Sequence, residues 1–235
     1  MYDPEEIFPL IEREGLFAGA PIALVFDQPS TRTDMSFRLA CHAIGATPDP
    51  KPMGMSSMAK GESLTHTFMA LADMGYAAII YRGFGSYEEP GIPVINAGNR
   101  GEHPTQALID LYTAEQALPD TRLKILIAGD TNSRVAISVQ QLFIDRGHEV
   151  IVGRADDGSN WPRHNVMMIF RWQAGRPAED PITYIPDGTY LMAPGRVIDE
   201  IDHSLLKHCR SLIRQQVRNA VKVRAAVLRW ELGHA

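Results

Sequence analysis

Short, unbroken apolar runs alternate along this chain with stretches in which apolar side chains recur every three or four residues. "IALVF" (Ile22–Phe26), "AAIIY" (Ala77–Tyr81) and "IPVINAG" (Ile92–Gly98) are runs of the kind formed by parallel strands buried on both faces. Between the first two, Phe37, Ala40, Cys41 and Ile44, and then Leu64, Phe68, Leu71 and Ala72, fall at helical spacing. "HPTQALIDLYTAEQ" opens a further helix, with Pro104 near its first turn, where proline is tolerated. A polar break, "ALPDTR" (Ala117–Arg122), follows, and the pattern restarts. "LKILIAGD" reads as a strand, "SRVAISVQQLFIDRG" as a helix with Val135, Val139, Leu142 and Phe143 on one face, and "HEVIVG" as a strand. "VMMIF" and "TYLMAPG" each end a strand, and the last helix runs from about Leu212 to Leu232. The pattern predicts an α/β fold of two parallel-sheet α/β domains, 1–117 and 118–235, with the C-terminal helix free to pack back on the first.

With 235 residues, 45 % of them hydrophobic, the chain can bury a core in each of two modest domains. A net charge of −5 argues against a general nucleic-acid binder. The two cysteines, Cys41 and Cys209, lie far apart and outside any CxxC spacing, which excludes a disulfide framework and a zinc site. No apolar run has the length of a membrane span, and the acidic start "MYDPEEIFPL" is unlike a signal segment. The expectation is a soluble, cytoplasmic globular protein with no membrane partner.

One junction concentrates candidate chemistry. "FDQPSTRTDMSF" places Ser30, Thr31, Arg32 and Thr33 where a strand gives way to a helix. The first N–H groups of a helix lack intrahelical partners and sit at the positive end of its dipole, so the junction suits an anion. Three hydroxyls and a guanidinium fork add to it. Arg82 follows the second strand, and His103 and Gln106 lie at the mouth of the helix after the third. Each has an ordinary reading: Ser30 and His103 as helix caps, Arg82 as a surface cation, Gln106 as a solvated amide. Open parallel sheets bind ligands at the carboxyl ends of their strands. Repetition of these groups at that end favours a phosphate-bearing ligand.

"PSTRT", then "SSMAKGESL", then "INAGNRGEHPTQALIDLYT", in that order, resemble the aspartate/ornithine carbamoyltransferase family. The third motif and "QQVRNAVKVRAAVL" lean toward its aspartate branch, and the "HCLP" motif of the ornithine branch is absent. The resemblance implies an active site in the cleft between the two domains, where a carbamoyl group passes from carbamoyl phosphate to an amino-acid acceptor. It implies that Ser30, Thr31, Arg32 and Thr33 hold the phosphate with Arg82. It implies further that Arg82 and His103 polarise the carbonyl oxygen and that Gln106 binds the carbamoyl amide. Ser57 and Lys60 resemble the loop that a neighbouring subunit inserts, which implies a homotrimer with a shared active site. Arg134, Arg171 and Gln173 match positions that hold the two carboxylates of aspartate. Pro194 and Gly195 stand where the family offers backbone carbonyls. Such chemistry rests on positioned donors and cations around developing charge, and calls for no metal or cofactor.

The chain departs from that pattern in three ways. It is shorter than the family's catalytic chain, with a clipped N-terminal helix and compressed stretches after "VIVG" and after Gln173. "APGR" (Ala193–Arg196) replaces an "HPLP"-like motif. Asp34 stands where the family carries an arginine. In the first helical turn an acid gains about 0.3–1 kcal/mol from the dipole. Facing a bound phosphate at about 8 Å, with an effective dielectric of about 20, it costs about 2 kcal/mol. The sign depends on which way it points. Shortening and Asp34 keep a second reading open, a non-catalytic homologue serving as a trimeric scaffold or partner subunit. A nucleotide-binding βαβ unit around "IAGDTNSR" is disfavoured, since Gly129 stands alone where GxGxxG would be needed.

Overall fold

Parallel strands cannot be joined by tight hairpins, so each apolar run must be followed by a crossover. The computed structural model describes residues 1–14, 17–52, 61–99, 101–119, 121–153, 164–169, 182–195, 197 and 200–233. Packing divides the chain into two units, Met1–Thr105 with Ala220–Ala235, and Gln106–Asn219. Each is built on a four-stranded sheet, and every pairing in both sheets is parallel. The fold is α/β with two parallel sheets, as the apolar pattern predicts.

The first unit opens with a short helix, α1 (Pro4–Ile7), capped by Asp3, whose carboxylate accepts the Glu5 N–H. The strands are β1 (Pro21–Phe26), β2 (Thr47–Pro52), β3 (Ala78–Arg82) and β4 (Val94–Asn96), in the order β2-β1-β3-β4. Helices α2 (Thr31–Ala43) and α3 (Leu64–Asp73) make the first two crossovers. Ile22, Ala23, Leu24 and Val25 of β1 and Ile79 and Ile80 of β3 are buried, because central strands are covered on both faces. The second unit repeats the arrangement. Its strands are β5 (Lys124–Ala128), β6 (Glu149–Val152), β7 (Val166–Ile169) and β8 (Tyr190–Met192), ordered β6-β5-β7-β8. Helix α5 (Arg134–Asp145) buries Val139, Leu142 and Phe143. Two helices, α4 (Pro104–Ala117) and α6 (Ile213–Gly233), contribute to both units. Among the described residues no helix is long and apolar enough to cross a membrane.

Both sheets reverse their strand order between the first strand and the third. That reversal is the topological switch point, outside whose carboxyl end ligands of open α/β sheets bind. In the first sheet Phe26 ends β1 opposite Arg82 at the end of β3, and the Asp27 N–H donates to the Arg82 carbonyl at 2.8 Å. Glycines let the chain turn at these ends. A Cβ at Gly83 would lie 2.6 Å from Tyr81 Cζ and 2.9 Å from Asp27 Cβ, and Gly129, after β5, has φ 92°.

The apolar pattern does not reveal β2, whose sequence is TPDPKP. Its prolines alternate. The Thr47 N–H points inward and donates to the Ala20 carbonyl at 2.9 Å. With the strand's two-residue period, Asp49 and Lys51 share that direction, so the nitrogens of Pro48, Pro50 and Pro52 all fall on the outer edge, where no ladder donor is needed. The outer edge of this edge strand therefore carries no N–H group, which blocks the pairing that makes exposed edges prone to association. Replacing Pro48 and Pro50 together by Thr should leave the fold intact and raise concentration-dependent self-association, measured by sedimentation velocity against the unaltered chain.

Candidate active site

The donor-rich junction after β1 folds as the start of α2. Ser30 occupies the N-cap position with extended backbone (φ −157°, ψ 94°), and its carbonyl accepts the Asp34 N–H at 2.9 Å. Its side chain makes no capping bond. The Ser30 hydroxyl instead donates to Thr33 Oγ1 at 2.9 Å. An ordinary N-cap serine would spend that oxygen on a first-turn N–H. Here those N–H groups keep their direction toward the strand end without a capping oxygen from Ser30. Thr33 is buried, whereas Thr31 and Arg32 are exposed at the tip.

Asp34 is turned into the helix surface. Arg38, one turn on, grips it with both arms, Nε to Oδ1 at 2.8 Å and Nη2 to Oδ2 at 3.0 Å. A bidentate guanidinium neutralises the carboxylate at close range, which removes most of the repulsion a lone acid would exert on a bound anion. The dipole term and the ion pair decide the sign at this position.

Beneath the turn lies a buried cation. Arg224 of α6 is 2 % exposed, stacks over the Phe37 ring with its guanidinium carbon 4.7 Å from the centroid, and donates from Nη1 to Ser36 Oγ. The Ser36 hydroxyl in turn meets the carbonyls of Arg32 and Thr33, the latter at 3.2 Å. The second turn of α2 is thus braced from below through one hydroxyl.

Arg82 and His103 come together although 21 positions separate them. Arg82 Nη1 donates to the Ala97 carbonyl at 2.8 Å and approaches His103 Nε2 at 3.2 Å. His103 is 3 % exposed. Arg82 is half-buried and His103 buried, and the two meet beyond the carboxyl ends of β3 and β4.

Gln106 lies in the first turn of α4, where its Nε2 donates to Asp110 Oδ1 at 2.9 Å. The same Asp110 oxygen accepts Gln216 Nε2 at 2.8 Å, and Gln216 Oε1 accepts the Ala193 N–H at 3.0 Å. Asp110 and Gln216 are buried, and neither is among the candidates that the sequence pattern marks. The available signal was an acid inside an apolar helix, one turn beyond a polar candidate and on its face. Arg224 was equally legible as a cation within the apolar run of α6.

In the second unit Arg134 begins α5, behind an N-cap Ser133 whose hydroxyl donates to the Asp130 carbonyl at 2.9 Å and accepts the Ala136 N–H at 3.3 Å. Burial pulls the Arg134 guanidinium below its ordinary pKa. Next to it is a cavity of about 200 Å³, lined by Asp130, Ser133, Pro194, Gly195, Val197 and Glu200 among others. Pro194 and Gly195 follow β8, and a Cβ at Gly195 would meet nothing within 4 Å. Ser57, Lys60, Arg171 and Gln173 lie outside the described residues.

Residues 6–116 match the family model described as aspartate/ornithine carbamoyltransferase, carbamoyl-P binding domain. The chain is 33 % identical to the aspartate carbamoyltransferase catalytic subunit of Aliarcobacter butzleri, the match covering 91 % of this chain and 86 % of that one. For the catalytic subunit of Thermus thermophilus the figures are 32 %, 93 % and 86 %. Two solved structures share the fold. Aspartate transcarbamoylase from Trypanosoma cruzi, in complex with carbamoyl aspartate and phosphate, gives a TM-score of 0.82 at 22 % identity, covering 97 % of this chain and 92 % of that one. The catalytic subunit of M. jannaschii aspartate transcarbamoylase gives 0.80 at 23 %, covering 98 % and 91 %.

The brace under α2 is open to direct measurement. Arg224→Ala deletes a buried side chain and leaves Ser36 without that donor, and should lower unfolding free energy by about 2–4 kcal/mol in urea titrations.

Proposed function

Because the chain belongs to the aspartate/ornithine carbamoyltransferase family, we propose that it transfers the carbamoyl group of carbamoyl phosphate to the amine of aspartate or a closely related amino acid, releasing phosphate. The observation that carries this reading is the Ser30 hydroxyl bonded to Thr33 rather than to a first-turn N–H at a strand-to-helix junction, the kind of junction that suits phosphate oxygens. On this reading Ser30, Thr31, Arg32 and Thr33 take the phosphate with Arg82. Arg82 and His103 polarise the carbonyl oxygen. Gln106 meets the carbamoyl NH₂. Arg134, Arg171 and Gln173 receive the acceptor's carboxylates, with Pro194 and Gly195 lending backbone carbonyls.

The reaction asks little of side-chain nucleophiles. The acceptor amine attacks the carbonyl carbon, the oxygen gathers negative charge, the C–O bond to phosphate breaks, and the amine loses a proton. Fixed N–H groups and guanidinium donors stabilise both the developing oxyanion and the leaving dianion. The Asp34–Arg38 pair removes one objection to activity, since the acid is already neutralised. Ser57 and Lys60 complete the phosphate site from a neighbouring subunit in a homotrimer, on the strength of their motif.

Purified protein supplied with carbamoyl phosphate and a panel of amines should release phosphate fastest with aspartate. Arg32→Ala should reduce the rate by about a hundredfold or more, in line with loss of a charge-assisted contact to the reacting group. Preference for ornithine or putrescine would overturn the dicarboxylate assignment, and binding of carbamoyl phosphate without transfer to any amine would favour the scaffold reading.

The shared site has its own signature. Arg32→Ala and Lys60→Ala chains, each inactive alone, should regain part of the activity when mixed under conditions that exchange subunits, because some sites then carry neither substitution. A fully active monomer in sedimentation analysis is the contrary result.

A further inference from the structure

A side-chain amide has a donor end and an acceptor end of nearly equal shape, and only its neighbours decide which end faces a ligand. An ionised carboxylate settles the matter for any amide it touches, because it can only accept. Asp110 is fully buried, and its Oδ1 receives the NH₂ ends of two glutamines, Gln106 at 2.9 Å and Gln216 at 2.8 Å. Both glutamines are thereby fixed with their carbonyl oxygens turned to other work. For Gln216 that work is visible: its Oε1 accepts the Ala193 N–H at 3.0 Å, immediately ahead of Pro194 and Gly195. For Gln106, whose Nε2 is held at Asp110, the end of the amide away from the carboxylate is Oε1, an acceptor.

We propose that Asp110 is a positioning residue that sets the polarity of the carbamoyl pocket: it locks Gln106 with its carbonyl oxygen presented, so the site selects a ligand bearing an NH₂ group beside its phosphate. The proposal rests on the reading of Gln106 as the carbamoyl contact. A carbamoyl NH₂ donates and finds Gln106 Oε1 in place. An acyl phosphate with a methyl group there, such as acetyl phosphate, makes no such bond and leaves the oxygen unsatisfied, which a buried site penalises. The same carboxylate, through Gln216, fixes the backbone that leads to Pro194 and Gly195. One carboxylate oxygen, accepting from both glutamines, therefore orients two of the site's elements.

The test compares three probes on the unaltered protein and on Asp110→Asn, which has the same shape but can present either a donor or an acceptor to each glutamine. Calorimetry should show carbamoyl phosphate binding the unaltered protein about tenfold or more tighter than acetyl phosphate, as one well-made hydrogen bond allows. In Asp110→Asn that preference should collapse toward equality, while affinity for inorganic phosphate, which has no group for Gln106, stays within about twofold. Equal losses for all three ligands, or no loss for any, would overturn the positioning role and leave the phosphate site standing. Failure of the unaltered protein to bind carbamoyl phosphate would overturn the reading of the site and the inference with it. A measurement without the variant guards against misfolding: the Gln106 side-chain NH₂ signal, identified by its loss in Gln106→Glu, should exchange slowly with solvent in the unaltered protein. Exchange at the rate of a solvated amide would show that no lock exists.

Discussion

A parallel strand that hands its chain to a helix leaves main-chain N–H groups at the helix start with no partner inside the helix. Much of the candidate site depends on how this molecule meets that constraint. In an ordinary protein a serine or aspartate cap closes such an end. After β1 the serine is present, but its hydroxyl is committed sideways to Thr33. After β5 the opposite choice is made, and Ser133 caps α5 in the usual way through the Ala136 N–H. The two sheets share a strand order, yet the serine hydroxyl caps the following helix only after β5.

The fold was legible because parallel strands of this kind of sheet write short apolar runs, and among the described residues eight strands gave seven such signals. The eighth, β2, is silent for a physical reason: at a sheet edge its outward nitrogens need no hydrogen, so proline is admitted and the β-branched signature disappears. Of the candidate site, the groups that face a ligand could be read directly, since arginine, histidine and hydroxyls at strand ends are conspicuous. The groups that hold them could not. Asp110 and Gln216 lie 106 positions apart, and Arg224 and Ser36 lie 188 apart. Pairings at such distances come from the tertiary fold and leave no local periodicity to detect.

Asp34 illustrates the limit from the other side. The sequence named both effects and their sizes, about 0.3–1 kcal/mol from the dipole against about 2 kcal/mol of repulsion. It left the direction of the side chain undetermined. Arg38 was in plain view at i+4, the spacing at which a helix brings an acid and a base together. A pairwise reading of the helix face would have anticipated the ion pair that the structure contains.

The proline edge of β2 has a consequence for the chain before it folds. Three of six residues have φ held near −65° in every state of the molecule, and each residue ahead of a proline is pushed away from helical angles. The segment is already close to extended when it is still denatured, so docking it on β1 surrenders less chain freedom than an ordinary strand would. A strand of weak apolar content can therefore hold its place at the margin of the sheet by having little disorder to lose.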